Sequence, residues 1–269
     1  MDVLAIIDDW GARTAAAGVT RADGPVATHG PSAAPLRWAS VTKLLTGLAT
    51  LVAVEEGTVD LDEAAGPAGS TLRHLLSHAS GLPPEDGPPL MPPARRRIYS
   101  NAGIEAAAAL VAARAGMPFD GYLREAVLEP LGLAGELRGS PAWGYVGPLD
   151  DLLALGRELL APTLVAPETL AEATEVQFPG LAGVLPSWGR MDPNDWGLAF
   201  ELSDDKQPHW TSARSSPCTF GHFGAAGTFL WVDPDAGLAC GVLTDREFGD
   251  WAKEAWPRFN DAVVANLGL

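Results

Sequence analysis

At 269 residues and 47% hydrophobic content, the chain is long enough for one large domain or for two lobes sharing a core. Acidic residues outnumber basic ones, 34 against 18, and the net charge of −16 repels phosphate backbones and anionic surfaces, which excludes nucleic-acid binding as an expectation. No stretch approaches the ~20 apolar residues of a membrane span, and MDVLAIIDDW at 1–10 lacks the basic start and cleavage site of a secretory signal, so a cytoplasmic address without membrane contact is expected.

In chain order, residues 2–10 read as a short amphipathic helix. GARTAAAGVT and VATHG, either side of ADGP, read as a hairpin that starts a sheet. SVTKLLTGLATLVAVEEG from Ser40 is apolar on nearly every face and closed by Gly57, the pattern of a helix buried in the middle of the molecule, with Ser40 where an N-cap would sit. TLRHLLSHASGLP at 71–83 reads as a second short helix capped by Ser70 or Thr71. The segment Pro83 to Pro93 is an irregular proline-rich crossing, a kind of loop that often borders sites. Helical spacing returns at 101–115, 118–130, 149–160 and 167–176. Strands follow in WGLAFEL, CTFGHFGAAGTFLWVD and LACGVLTD, with a final helix from about Asp250 to Leu267. Most of the nine Trp are expected in the core, and Cys218 and Cys240 are expected to be free and buried.

Ser40 and Lys43 lie three residues apart, hence on one helix face, and Lys43 is one of only three lysines. A serine hydroxyl needs a base within hydrogen-bond reach to become a nucleophile. An ammonium inside an apolar helix is costly and tends to lose its proton, which suits a base. Two readings stay open on this pair alone: a nucleophile with its base, or a surface lysine beside an N-cap serine. His74 and His78 imitate a metal pair, but no third ligand or catalytic Glu accompanies them, so they read as structural, with His78 bonding a terminal carbonyl. His29 and His209 fall in expected loops without a nameable partner. No metal or cofactor is expected.

RWASVTKLLTGLATLVAVEEGTVDLDE, TLRHLLSHASGLP, YSNAG at 99–103, WGLAFEL and GHFGAAGTFLWVDPDAGLACGVLTDR, in that order, resemble the serine β-lactamase and penicillin-binding-protein family. The resemblance is specifically to its branch around class C β-lactamases, D-aminopeptidases and family VIII carboxylesterases, and it spans nearly the whole chain. It implies an α/β fold of the α+β type, an antiparallel sheet flanked by helices with an inserted all-helical lobe. Residues 1–35 and 195–269 would form the sheet lobe, 36–194 the helical lobe, with the site at their junction. The same resemblance implies that Ser40 is the acylated nucleophile, Lys43 its proton-accepting or electrostatic partner, and Tyr99 a second base held partly as phenolate. Asn101 would bond the acyl side chain of the substrate. His222-Phe223-Gly224 would line the far wall, Gly224 allowing close backbone approach, and the N–H groups of Ser40 and Ala225 would form the oxyanion hole.

One departure is informative. The cell-wall branch typically carries Lys at the first position of the strand motif to receive a substrate carboxylate, and this chain has His222. Arg246 is the one candidate to replace that charge, although an Arg after a strand is more often solvent-exposed. The expected function is therefore a carboxylesterase-like serine hydrolase acting on a small-molecule ester or amide. The alternatives are a β-lactamase, D-amino-acid peptidase or acyltransferase using the same acyl-enzyme, and a non-catalytic binding module. The oligomeric state stays open between monomer and small homo-oligomer.

Overall fold

A computed structural model describes residues 3–268. A 3-10 helix, Val3–Trp10, leads into β1 (Ala15–Arg21) and β2 (Gly24–His29), the expected hairpin. After β3 (Leu36–Arg37), the buried helix α1 runs Thr42–Glu55, followed by the short α2 (Leu72–Leu76) and by α3 (Asn101–Ala115). The expected helix over 118–130 is continuous but composite: α4 (Phe119–Leu123), a π-helical stretch Arg124–Leu128, and α5 (Glu129–Leu131). Then come β4 (Glu136–Leu137), β5 (Tyr145–Gly147), α6 (Leu149–Leu160), α7 (Pro167–Thr174) and the hairpin β6 (Gly183–Leu185) and β7 (Gly189–Met191). The chain closes with β8 (Glu201–Leu202), β9 (Phe220–Gly224), β10 (Thr228–Asp233), β11 (Leu238–Thr244) and α8 (Asp250–Val263).

Six strands form one antiparallel sheet in the order β2-β1-β11-β10-β9-β8, so the N-terminal hairpin is completed by C-terminal strands. Between them in sequence lie α1 to α7 and, beside these helices, a small sheet β3-β5-β4 and the β6-β7 hairpin. WGLAFEL contributes only its last two residues as β8; Ala199 sits at φ +66°, a left-handed conformation that breaks the pleat.

The sheet is covered on both faces, and its side chains divide between two cores with the period of two that a strand imposes. Ala17, Val19, Phe229, Trp231, Cys240 and Val242 join the N-terminal helix and α8 on one side, with Trp10, Trp256 and Phe259. Ala16, Leu230, Val232, Ala239 and Leu243 face α1 and α6 on the other. Helix α6 approaches closely because glycines face it: a Cβ on Gly241 would stand 2.7 Å from Leu152 Cδ2. Seven of the tryptophans are buried, whereas Trp143 is exposed. Both cysteines are free; Cys240 is buried as expected, but Cys218 is exposed, in the loop leading to β9. No helix among the described residues is long and apolar enough to cross a membrane.

Candidate active site

Helix α1 has every residue from Thr42 to Ala53 buried, so Lys43 in its first turn has no route to solvent. The surface-lysine reading therefore fails. Ser40 is not an N-cap either: it lies in a 3-10 turn, Ala39–Val41, and Val41 occupies the cap position of α1. Ala39 is held at φ +48°, a sparsely populated conformation for a non-glycine residue, directly before the serine.

Lys43 Nζ lies 3.2 Å from Ser40 Oγ and donates to Asn101 Oδ1 at 2.7 Å and to the Ala142 carbonyl at 2.8 Å. That carbonyl is aimed by α1 itself: Thr46 Oγ1 donates to Pro141 O at 2.6 Å and Thr42 Oγ1 accepts from Tyr145 N at 3.0 Å, clamping the loop between β4 and β5. Burial lowers the Lys43 pKa to about 7, although Glu105 and Glu85 favour the charged form.

Tyr99 OH donates to Ser40 Oγ at 2.8 Å, so the serine hydroxyl has both the phenol and Lys43 Nζ within hydrogen-bond reach. The Tyr99 ring packs against His78, Trp196 and His222, with centroids 4.7, 5.8 and 5.8 Å away. The expectation of a partial phenolate is corrected. Burial raises the Tyr99 pKa far above its ordinary value, Glu85 and Glu201 add to this, and the bond to Ser40 offsets only part of it.

Asn101 opens α3, whose cap is Ser100, with the Ser100 side chain accepting from Gly103 N. Besides receiving Lys43, Asn101 donates from Nδ2 to Glu85 Oε1 at 2.8 Å. Glu85 was not singled out from the sequence; the one signal was its place in the proline-rich crossing. Ala142 had no signal at all, because a backbone carbonyl carries no residue identity.

His222 is buried on β9, and its Nδ1–H donates to Phe223 O at 2.7 Å. Burial, reinforced by Lys43, lowers its pKa to about 3, so the ring is neutral. Gly224 ends the strand where a Cβ would lie 2.4 Å from the Trp38 carbonyl, and Thr228 Oγ1 donates to that carbonyl at 2.8 Å. This close approach sets Ala225 beside Ser40.

Two cavities meet at Ser40 and Ala225. One of about 230 Å³ is lined by Tyr99, Asn101, Trp196, His222, Phe223 and Phe248, among others; another of about 510 Å³ is lined by Arg37, Glu85, Asn101, Arg138, Trp143 and Tyr145. Arg246 lines neither: its guanidinium donates to Trp10 O and stacks 4.7 Å from the Trp251 ring, so it supplies no charge in place of the missing lysine.

The remaining histidines have structural partners. His74 completes a capping box with Thr71 at the start of α2. His78 Nδ1 accepts from Ser100 N at 3.2 Å and does not bond a helix carbonyl as expected. His29 lies on β2, not in a loop, 3.0 Å from Asp8, and His209 bonds Glu201 and Thr211. The last belongs to a buried group that sequence reasoning missed, in which Glu201 pairs with Lys206 at 2.8 Å and accepts from Trp210 Nε1. Burial alone would raise the Glu201 pKa, but His209 and Lys206 hold it well below the usual carboxylate range.

None of the curated protein sequences matches this chain. Among solved structures, a beta-lactamase from Mycobacterium bovis superposes with a TM-score of 0.98 at 49% identity, over 99% of this chain and 100% of that one. A penicillin-binding protein homolog from Caulobacter crescentus gives 0.79 at 17% identity, covering 99% and 98% of the two chains. EstCE1, described as a hydrolase with promiscuous acyltransferase activity, gives 0.78 at 18% identity, covering 97% of each chain. The antiparallel sheet with its flanking helices is thus the β-lactamase/transpeptidase fold. The family model named Beta-lactamase matches residues 3–265, and with the Mycobacterium bovis relative it establishes that the chain belongs to the beta-lactamase family.

Proposed function

We propose that this chain is a serine hydrolase that transfers the acyl part of an ester or amide to Ser40 and then to water, with carboxylesterase-like substrates. The observation that carries this reading is the serine hydroxyl bracketed by Tyr99 OH at 2.8 Å and Lys43 Nζ at 3.2 Å. A neutral lysine has two N–H bonds and one lone pair. Asn101 Oδ1 and Ala142 O take the two N–H bonds, which turns the lone pair toward Ser40 Oγ.

As Oγ attacks the carbonyl carbon, its proton passes to Lys43 Nζ, and the developing oxyanion is received by the N–H groups of Ser40 and Ala225. The bond to the leaving oxygen or nitrogen then breaks while Tyr99 delivers its proton to that atom, leaving a Lys43 ammonium and a Tyr99 phenolate beside the acyl-enzyme. In the second half, the phenolate takes a proton from water, the hydroxide attacks the acyl carbon, and Ser40 Oγ departs with the proton held by Lys43. Tyr99 thus acts first as acid and then as base, which agrees with its being a protonated phenol in the free protein.

A β-lactam is a second substrate class, favoured by the 49% identity to a structure described as a beta-lactamase. The neutral His222, at the position where the cell-wall branch typically carries lysine, weighs toward esters. Mass spectrometry after fluorophosphonate treatment should find one adduct on Ser40 and none in Ser40→Ala; no adduct in the unmodified protein refutes the acyl-enzyme reading. Faster turnover of a chromogenic cephalosporin than of short p-nitrophenyl esters would reverse the ranking of substrates.

A further inference from the structure

Of the two cavities that meet at Ser40, only one holds a proton donor able to serve a departing group. Tyr99 lines the 230 Å³ cavity, whereas Lys43 lines neither. In the 510 Å³ cavity the phenol is Tyr145, whose hydroxyl donates to Asp151 Oδ2 at 2.7 Å. The leaving atom must stand within reach of Tyr99 OH, so the leaving group occupies the smaller cavity and the acyl group the larger one.

Among the described residues, no charged side chain lines the smaller cavity; its walls include Leu185, Pro186, Trp196, Phe223 and Phe248. Its one imidazole, His222, is kept neutral, with Nδ1–H engaged by the Phe223 carbonyl. The apolar surface extends further. A neighbouring cavity of about 480 Å³ shares Tyr99 and Pro186 and adds Leu90, Met91, Ile98 and Val184. Arg97 also borders it, but its guanidinium donates to the carbonyls of Ser77, Gln177 and Asn194; the other cation there, Arg96, is exposed. Arg37 and Arg138 line the acyl cavity instead, where Arg37 pairs with Glu247 and Arg138 with Glu136.

We propose that the leaving group of the natural substrate is an uncharged, apolar alcohol or amine, and that this chain rejects substrates carrying a carboxylate on the departing side. A carboxylate in this cavity would lose its hydration without gaining a cation. The inference rests on the acyl-enzyme reading above and specifies its substrate class.

The test compares release of phenol from 4-propylphenyl acetate and 4-(carboxymethyl)phenyl acetate, which share an acyl group and differ mainly in the charge of the leaving group. The propyl ester should be favoured in kcat/KM by at least about 10-fold. Ser187→Arg places a cation at an exposed position on the rim of the same cavity and should shift that ratio toward the carboxylate ester by about 10-fold. Phe248→Ala should lower the rate on the propyl ester more than on the carboxylate ester. Absence of a fluorophosphonate adduct on Ser40 overturns the acyl-enzyme reading and this inference together. An adduct accompanied by equal rates, by preference for the carboxylate ester, by no cleavage of either, or by a ratio unmoved in Ser187→Arg overturns this inference alone.

Discussion

Lys43 is the residue on which burial acts most directly. Its pKa of about 7 means that the free base is available from neutral pH upward, so kcat/KM should rise about tenfold per pH unit below that value and level off above it. The same displacement carries a stability consequence. The unfolded chain holds the lysine proton up to its ordinary pKa of 10.5, while the folded chain releases it near 7. Unfolding therefore takes up a proton in that window, and the stability contribution of Lys43 rises with pH between the two values, its cost being fully present below the lower one. Lys43→Met should abolish esterase activity yet raise stability at pH 6 by a few kcal/mol, measured by urea denaturation. Tyr99→Phe retains the ring packing against His78 and Trp196 but removes the proton carrier. Single-turnover acylation should slow by about 10² to 10⁴-fold with the melting temperature little changed.

The site is assembled from the ends of elements. Helix α1 presents Lys43 from its first turn, α3 presents Asn101 from its first residue, and β9 ends at Gly224 against the turn that carries Ser40. The strand end tolerates no side chain there, because the Trp38 carbonyl and Thr228 Oγ1 would lie 2.4 and 2.5 Å from a Cβ. Gly224→Ala should push β9 away from Ser40 and lower kcat by about 10²-fold, with an accompanying loss of about 1–3 kcal/mol in stability from overpacking. Enzyme assay and thermal melting together separate this from simple unfolding, since the protein should remain folded at 25 °C.

The molecule as a whole rests on a sheet covered on both faces, with a buried polar group at the β8 end. Lys206 donates there to Glu201, Asp195 O and Leu202 O, all in the interior. Glu201→Gln removes the negative charge and leaves the ammonium with neutral partners in a buried setting. Chemical denaturation should show a loss of about 3–5 kcal/mol. The effect on activity should be smaller than that of Tyr99→Phe, because Glu201 lies among the side chains behind the site and lines neither cavity at Ser40.

Periodicity and punctuation were sufficient to read the hairpin, the buried α1, α3, α6 and the terminal strands, because each of these patterns is local and each element buries a face of its own. Shared motifs likewise brought Ser40, Lys43, Tyr99, Asn101, His222, Gly224 and Ala225 to notice, and these residues do converge in space. What depended on the tertiary structure was everything set by groups distant in sequence. The 3-10 turn that carries Ser40, the bonds of Lys43 to Asn101 Oδ1 and the Ala142 carbonyl, and the raised pKa that burial gives Tyr99 are of this kind. The Glu85 contact, the Glu201 group and the contrast between the two cavities arise in the same way. Hydrogen bonding and desolvation depend on which atoms meet and how much water they lose, and a linear pattern of residue types records neither.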